Sequence, residues 1–151
     1  MISIADIRKL LRQSPSNRYL LIEAVLSLGI VRAAMVVLPF AWVARRLAPE
    51  AGNAGAPNRA AALRIGRAVR IAARRTPWES KCLAQALAAA LMLRRRKIPF
   101  VLTLGVAKTA ERKAGIDAHA WLFSGDELLT GAGYERYSVI AQFTSAMGRR
   151  A

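Results

Sequence analysis

Thr76-Pro77-Trp78-Glu79-Ser80-Lys81-Cys82 is the stretch whose reading decides the fold, because it opens a helix with an alanine-rich body that runs to Arg94-Arg95-Arg96-Lys97. Two strands answer it downstream. Leu102-Thr103-Leu104-Gly105-Val106 is a short apolar run, and Asp117-Ala118-His119-Ala120-Trp121-Leu122-Phe123 carries the alternation of a half-buried strand. Thr76-Pro77-Trp78-Glu79 has the pattern of a capping box with Pro at the first helical position. Ser80 is a second possible cap, and it would place Cys82 in the first turn. The four basic residues at the far end complement the helix dipole, and Pro99 stops the helix.

The chain has one cysteine and one histidine, and they fall on these two elements. The thiolate is the nucleophilic form of cysteine, and a helix N-terminus or a neighbouring imidazolium favours it. His119 is the matching base and then acid of a Cys–His pair. Lys81 adds a positive charge beside the sulfur. Gln85, one turn after Cys82, is a candidate for the oxyanion site, although a backbone N–H at the helix start is the better donor. A single cysteine excludes an internal disulfide and a cysteine-based zinc centre. No phosphate loop, no ATP motif and no carboxylate pair for glycoside chemistry occurs, so neither cofactor nor metal is expected.

Upstream of the cysteine the chain reads as helices. Residues 1–18 form an arm in which Ser3 and Asp6 cap a short helix that breaks before Pro15. Tyr19 to Leu47 is the most apolar segment, yet Glu23 and Arg32 sit inside it, and a central Arg costs about 2.5–3.5 kcal/mol on insertion scales. Glu23, Ser27 and Arg32 make a narrow polar stripe, which predicts a core helix with most of its circumference buried; the alternative is a membrane-associated segment, for which Trp42, Arg45 and Arg46 would be the interfacial flank. A second short helix or turn follows from Phe40 to Leu47. Pro49 to Pro57 is a loop, and Asn58 caps a helix from Arg59 to Arg75. Arg67, Arg70 and Arg74 recur on that helix at helical spacing as a basic ridge, read either as a solvated face or as a cradle for acidic residues of a peptide.

Downstream, Phe100 to Val106 and Ala118 to Phe123 are strands and Ala107 to Ile116 a charged connection. Gly125-Asp126 is a two-residue hairpin turn leading into Glu127 to Thr130, which puts Trp121 opposite Thr130 and His119 opposite Ala132. Tyr137 to Phe143 is a last strand or helix, and residues 147–151 are a tail. The expected class is α+β: a helical first half, with the Cys82 helix packed on a small antiparallel sheet. Residues 19–146 form the single domain.

Composition bounds the partners. With 54% hydrophobic residues the chain can bury enough apolar surface to fold alone. Its 24 basic and 9 acidic residues give a net charge of +15, which calls for an acidic partner. The helix dipole already accounts for the Arg94–Lys97 run, so nucleic acid is not the expected one. A thiol kept reduced and the lack of a secretory signal pattern point to the cytoplasm.

Taken together, Trp78…Cys82-Leu83…Ala86-Leu87, Leu93-Arg94-Arg95-Arg96-Lys97-Ile98-Pro99, Leu104-Gly105-Val106 and Ala118-His119-Ala120-Trp121 resemble the leader peptidases of lasso-peptide biosynthesis, a family of transglutaminase-like cysteine proteases. Leu38-Pro39-Phe40 and Tyr134-Glu135-Arg136-Tyr137 fit as well, and the resemblance runs from about Tyr19 onward. It implies attack by Cys82 on the leader–core junction of a precursor peptide, with His119 moving the proton. Trp78, Gln85, Trp121, Arg67, Arg70 and Arg74 would then line the substrate. It also implies a separate leader-binding protein as partner, and an ATP-dependent cyclase acting on the released core. Many members carry a catalytic Asp on the strand after the His strand, and the pattern lands here on Gly131. The third catalytic place is therefore open between Thr130, Asp126, Asp117 and a backbone carbonyl.

Overall fold

Pro15, which the sequence suggests as a helix breaker, instead occupies the first turn of the first helix, where its missing N–H would have no intrahelical acceptor in any case. In the computed structural model, which describes residues 14–39, 42–43, 46, 55–109 and 115–145, helix α1 spans Pro15–Val37, α2 Arg59–Ala73 and α3 Cys82–Arg95. Strands β1 Val101–Lys108, β2 Ile116–Ser124 and β3 Glu127–Thr130 follow, then a 3-10 turn Tyr134–Arg136 and β4 Ser138–Thr144. The expected arm helix and the tail lie outside the described residues, as do most of the Phe40–Leu47 segment and the loop after it.

The four strands form one antiparallel sheet in the order β3-β2-β1-β4. This is the α+β arrangement expected, with β4 a strand and not a helix. The helices cover one face. Ala120 and Leu122 of β2, Leu102 of β1 and Leu129 of β3 enter a dry core with Leu87, Met92 and Leu93 of α3. Ala86, Ala88, Ala89 and Ala90 of α3 are fully buried, and their small side chains let α3 approach the sheet and the other helices closely. Asn58 caps α2 as anticipated, its Oδ1 accepting from the Ala61 N–H at 3.0 Å.

Three local expectations change. First, the Thr76 capping box does not form: residues 74–81 are turn and loop, and α3 begins at Cys82 with Lys81 as its N-cap residue. Second, α3 ends at Arg95, before Pro99, and Lys97 takes a left-handed conformation (φ 55°) so that the Ile98 N–H reaches the Leu93 carbonyl. Arg96 then pairs with Glu23 of α1 at 2.5 Å and Arg95 with the same carboxylate at 3.5 Å, so the basic run ties two helices together besides facing the dipole. The Arg96 hydrogen bond holds the Glu23 carboxyl below its ordinary range, and Glu23 raises the Arg96 guanidinium.

Third, α1 is not buried around most of its circumference. Leu21, Ala24, Ser27, Leu28 and Val31 face α2 and α3, whereas Ile22, Leu26, Ile30, Val36 and Val37 are exposed. The helix is long and apolar enough to cross a membrane, and 28% of its most apolar window is buried. Ser27 goes inward because α2 and α3 take only one arc of the helix; the polar stripe does not mark the solvent side.

Candidate active site

Cys82 is the first residue of α3. The ladder of that helix starts where the Gln85 N–H meets the Lys81 carbonyl at 3.1 Å, so the N–H groups of Cys82, Leu83 and Ala84 precede it and point out of the helix end. A sulfur here sits at the strongest point of the helix dipole. Six residues of loop are locked to put it there. Thr76 Oγ1 lies 3.0 Å from Ser80 Oγ and donates to the Trp78 carbonyl at 3.2 Å, and the Gln85 side-chain amide donates to the Ser80 carbonyl at 2.9 Å. The Trp78 indole packs against Gly29 of α1. Gln85 is thus a brace for the cysteine loop and Trp78 a wedge under it. Cys82 itself is half-buried, at the rim of the core.

His119 lies opposite Gly105 in the β1–β2 ladder. Strand alternation sends Ala120 and Leu122 toward the helices and turns His119, Trp121 and Phe123 to the other face of the sheet. There the imidazole stacks on Tyr137 (centroids 4.8 Å apart) and Trp121 (6.1 Å), and Trp121 stacks on Tyr134 (5.5 Å). The indole is buried and fills the space a side chain on Gly105 would need, since a Cβ there would lie 2.6 Å from its ring. Trp121 is consequently a wall that shapes the histidine. Tyr137 is fixed in turn by Asp117, whose Oδ2 accepts from the Tyr137 hydroxyl at 2.6 Å and from Arg136 at 3.1 Å.

The ring's orienting partner is a backbone group. His119 Nε2 lies 3.1 Å from the Gly131 carbonyl oxygen. A carbonyl only accepts, so Nε2 carries the proton and Nδ1 holds the lone pair of a base. Neither side chain favoured for the third place takes it. The Gly125-Asp126 turn forms as expected, Ser124 facing Glu127, but a bulge then shifts the register and sets Thr130 against Leu122. That moves Thr130 to the helix-side face, where its hydroxyl is buried without a partner. Asp126 stays exposed in the turn, and Asp117 is spent on Tyr137. Gly131 has φ +83°, and a Cβ on it would lie 2.3 Å from the Ala120 carbonyl oxygen, so no side chain fits where the family pattern places an acid. The sequence signal for this was the glycine itself; nothing marked Tyr137 as the imidazole's stacking partner.

How cysteine and histidine relate follows from connectivity. Among the strands α3 packs most on β2, and residues 96–100 turn its C-terminal end into β1, whose first residue pairs with Phe123. From that corner α3 extends about 20 Å back at ~1.5 Å per residue, and Gly105, opposite His119, lies about 13 Å along β1 at ~3.3 Å per residue. Cys82 and His119 therefore both stand away from that corner, the first on the helix layer and the second on the outer face of the sheet. β3 pairs with Leu122–Ser124, which among the described residues leaves the margin of β2 beside His119 without a strand neighbour on that side, and Gly131 turns across it. Among the described residues no hydrogen bond joins the thiol to the imidazole; such contacts often tighten only with substrate bound.

The basic ridge divides by role. Arg70 donates to the Leu129 carbonyl and latches α2 to β3. Arg64 is held by Ser16 and Asn17 of α1. Arg67 and Arg74 are exposed, and Arg67 lines a groove of about 380 Å³ between α1 and α2 together with Asn17, Leu20 and Arg64.

Comparison with known proteins identifies the family. A family model described as the transglutaminase-like superfamily matches residues 25–142, which include all three helices in part or whole and the Cys82 and His119 elements. No curated protein and no solved structure matches the chain.

Proposed function

We propose, for a chain that belongs to the transglutaminase-like superfamily, the reaction of a cysteine peptidase that removes the leader from a ribosomally made lasso-peptide precursor. The observation that supports this reading is Cys82 at the first position of α3, in a chain whose single imidazole has its Nε2 held 3.1 Å from the Gly131 carbonyl and its Nδ1 left as a base. The thiol proton passes to Nδ1, and the thiolate attacks the scissile carbonyl. The developing oxyanion is met by N–H groups that precede the α3 ladder. The imidazolium returns its proton to the leaving amine, and water, deprotonated by the same Nδ1, releases the acyl chain and regenerates the thiol.

The carbonyl of Gly131 orients the ring but carries only a partial charge, so it stabilises the imidazolium less than a carboxylate does. Tyr137 and Trp121 replace the missing directional constraint by clamping the ring plane from its neighbours. Arg67 and Arg74 are the ridge residues left to meet acidic side chains of the precursor, since Arg70 serves the fold. A separate leader-binding protein presents the leader, and an ATP-dependent cyclase takes the core peptide afterwards.

The test is precursor cleavage followed by mass spectrometry, with the leader-binding partner present. Cys82→Ala should abolish leader removal while precursor and partner binding persist. The rival reading is a non-catalytic basic module for nucleic acid or anionic membrane. It predicts no cleavage by the wild type, no effect of Cys82→Ala, and steeply salt-dependent nucleic-acid binding as the main activity.

A further inference from the structure

The α1 surface left bare by α2 and α3 is the largest feature the peptidase reading does not use. Its outer arc holds Ile22 (55% exposed), Leu26 (60%), Ile30 (60%) and Val37 (77%), spaced so that they fall in one line along the helix. Tyr19 extends the stripe at one end, and it runs to Val37 for about 27 Å at ~1.5 Å per residue. A contiguous apolar strip of this length is uncommon on a soluble monomer and marks a contact surface. Beside it Ile22, Val25 and Leu26 continue with Ile71 and Pro77 into an apolar groove of about 250 Å³.

Charge decides among occupants. The chain carries +15, so a second copy docked on the stripe would bring two strongly positive molecules together. The cations of α1, Arg18 and Arg32, both lie along one flank of the stripe, at its margin on the helical wheel, and Arg75 lines the groove. Glu23 is the single carboxylate of α1, and it is neutralised by Arg95 and Arg96. Past the helix, the Arg46 guanidinium lies 4.9 Å over the exposed Trp42 ring, a pair suited to a headgroup layer. An apolar stripe rimmed by cations with its acid already paired fits an anionic surface that is apolar just beneath.

We propose that α1 seats this protein on an anionic lipid bilayer, lying in the interface plane with Ile22, Leu26, Ile30 and Val37 among the acyl chains. The helix lies on the bilayer and does not cross it. Crossing would strip Leu21, Ala24, Leu28 and Val31 from α2 and α3 and carry the Glu23–Arg96 pair into hydrocarbon. The inference is independent of the peptidase reading, and it takes up the membrane-associated alternative to the core helix favoured by the sequence.

The experiment is co-sedimentation of the full chain with vesicles of phosphatidylcholine alone or of equal parts phosphatidylcholine and phosphatidylglycerol. Binding should favour the anionic vesicles by roughly tenfold, and the double substitution Leu26→Asp, Ile30→Asp should lower that binding by roughly tenfold. Its circular-dichroism melt should stay at the wild-type value, because both side chains are exposed. Three results would each overturn the proposal: no sedimentation with the anionic vesicles, equal sedimentation of the variant, or a wild-type dimer in solution that the double substitution dissociates. Cleavage of precursor in vesicle-free buffer, equal for wild type and variant, is a separate readout, so loss of lipid binding leaves the peptidase reading standing and the reverse.

Discussion

The two faces of the sheet are built from different material for different tasks. The helix-side face is aliphatic and alanine-rich, with Ala120, Leu122 and Leu102 against Ala86, Leu87 and Ala90. The opposite face is aromatic and hydrogen-bonded: His119, Trp121, Tyr134 and Tyr137, with Asp117 and the Gly131 carbonyl behind them. Aliphatic packing sets how close α3 comes to the sheet and at what height Cys82 stands, but it has no directional preference for a polar ring. Stacking and hydrogen bonds do, since aromatic pairs and carbonyl acceptors each favour particular geometries. One face thus fixes distance and the other fixes orientation, and the catalytic pair proposed above needs both.

Substitutions on the two faces should separate these tasks. The largest effect is expected from the reacting groups: His119→Ala should lower the rate of leader removal by at least roughly a thousandfold, as Cys82→Ala should, with thermal stability within about 1 kcal/mol of wild type for the cysteine variant. A cleavage rate that survives either change breaks the comparison outright. Next, Gly131→Ala should destabilise the fold by about 2–4 kcal/mol in denaturant unfolding, because the new Cβ meets the Ala120 carbonyl oxygen in a backbone conformation that favours glycine. Gly131→Asp should fare no better and should not raise activity; a faster enzyme would show that the acid of the family pattern can be restored here.

On the aliphatic face, Ala89→Leu should cost about 1–3 kcal/mol by overpacking and should lower activity in step with folded fraction. Tyr137→Phe sharpens the contrast. It keeps the ring but loses the bond to Asp117, so stability should fall by about 1 kcal/mol while kcat drops severalfold with KM unchanged. Equal losses in stability and kcat for Ala89→Leu and Tyr137→Phe would erase the division of labour. The smallest effect concerns the α1–α3 tie. Glu23 is held below its ordinary carboxylate range by Arg96, so its contribution of about 0.5–1 kcal/mol is present at neutral pH. It should disappear as acid carries the solution through the lowered value, and Glu23→Gln should remove the pH dependence of the melt over that window.

Much of the architecture was legible in the letters. Alternation marked β2, the Gly125-Asp126 pair marked its hairpin, and the alanine run marked a helix that lies close to a sheet. Asn58 named its own helix start. What misled was local chemistry with two acceptable outcomes. Thr76-Pro77-Trp78-Glu79 satisfies the rules of a cap, yet Thr76 bonds to Ser80 and the Trp78 carbonyl instead, because Trp78 is drawn against Gly29 far away in sequence. The α1 sequence suggests burial around most of its circumference, because apolar sequence is indifferent to whether a neighbour exists to cover it.

Residue identity alone determined which groups are able to react, a lone thiol and a lone imidazole, and which elements carry them, because side-chain chemistry and hydrophobic period are properties of the chain itself. Tertiary structure decided the rest: the one-residue bulge between Leu122 and Phe123, the carbonyl that orients the ring where an acid was sought, and the arc of α1 left bare. Register, backbone orientation and coverage depend on what packs across from a residue, and that partner is set by the fold as a whole.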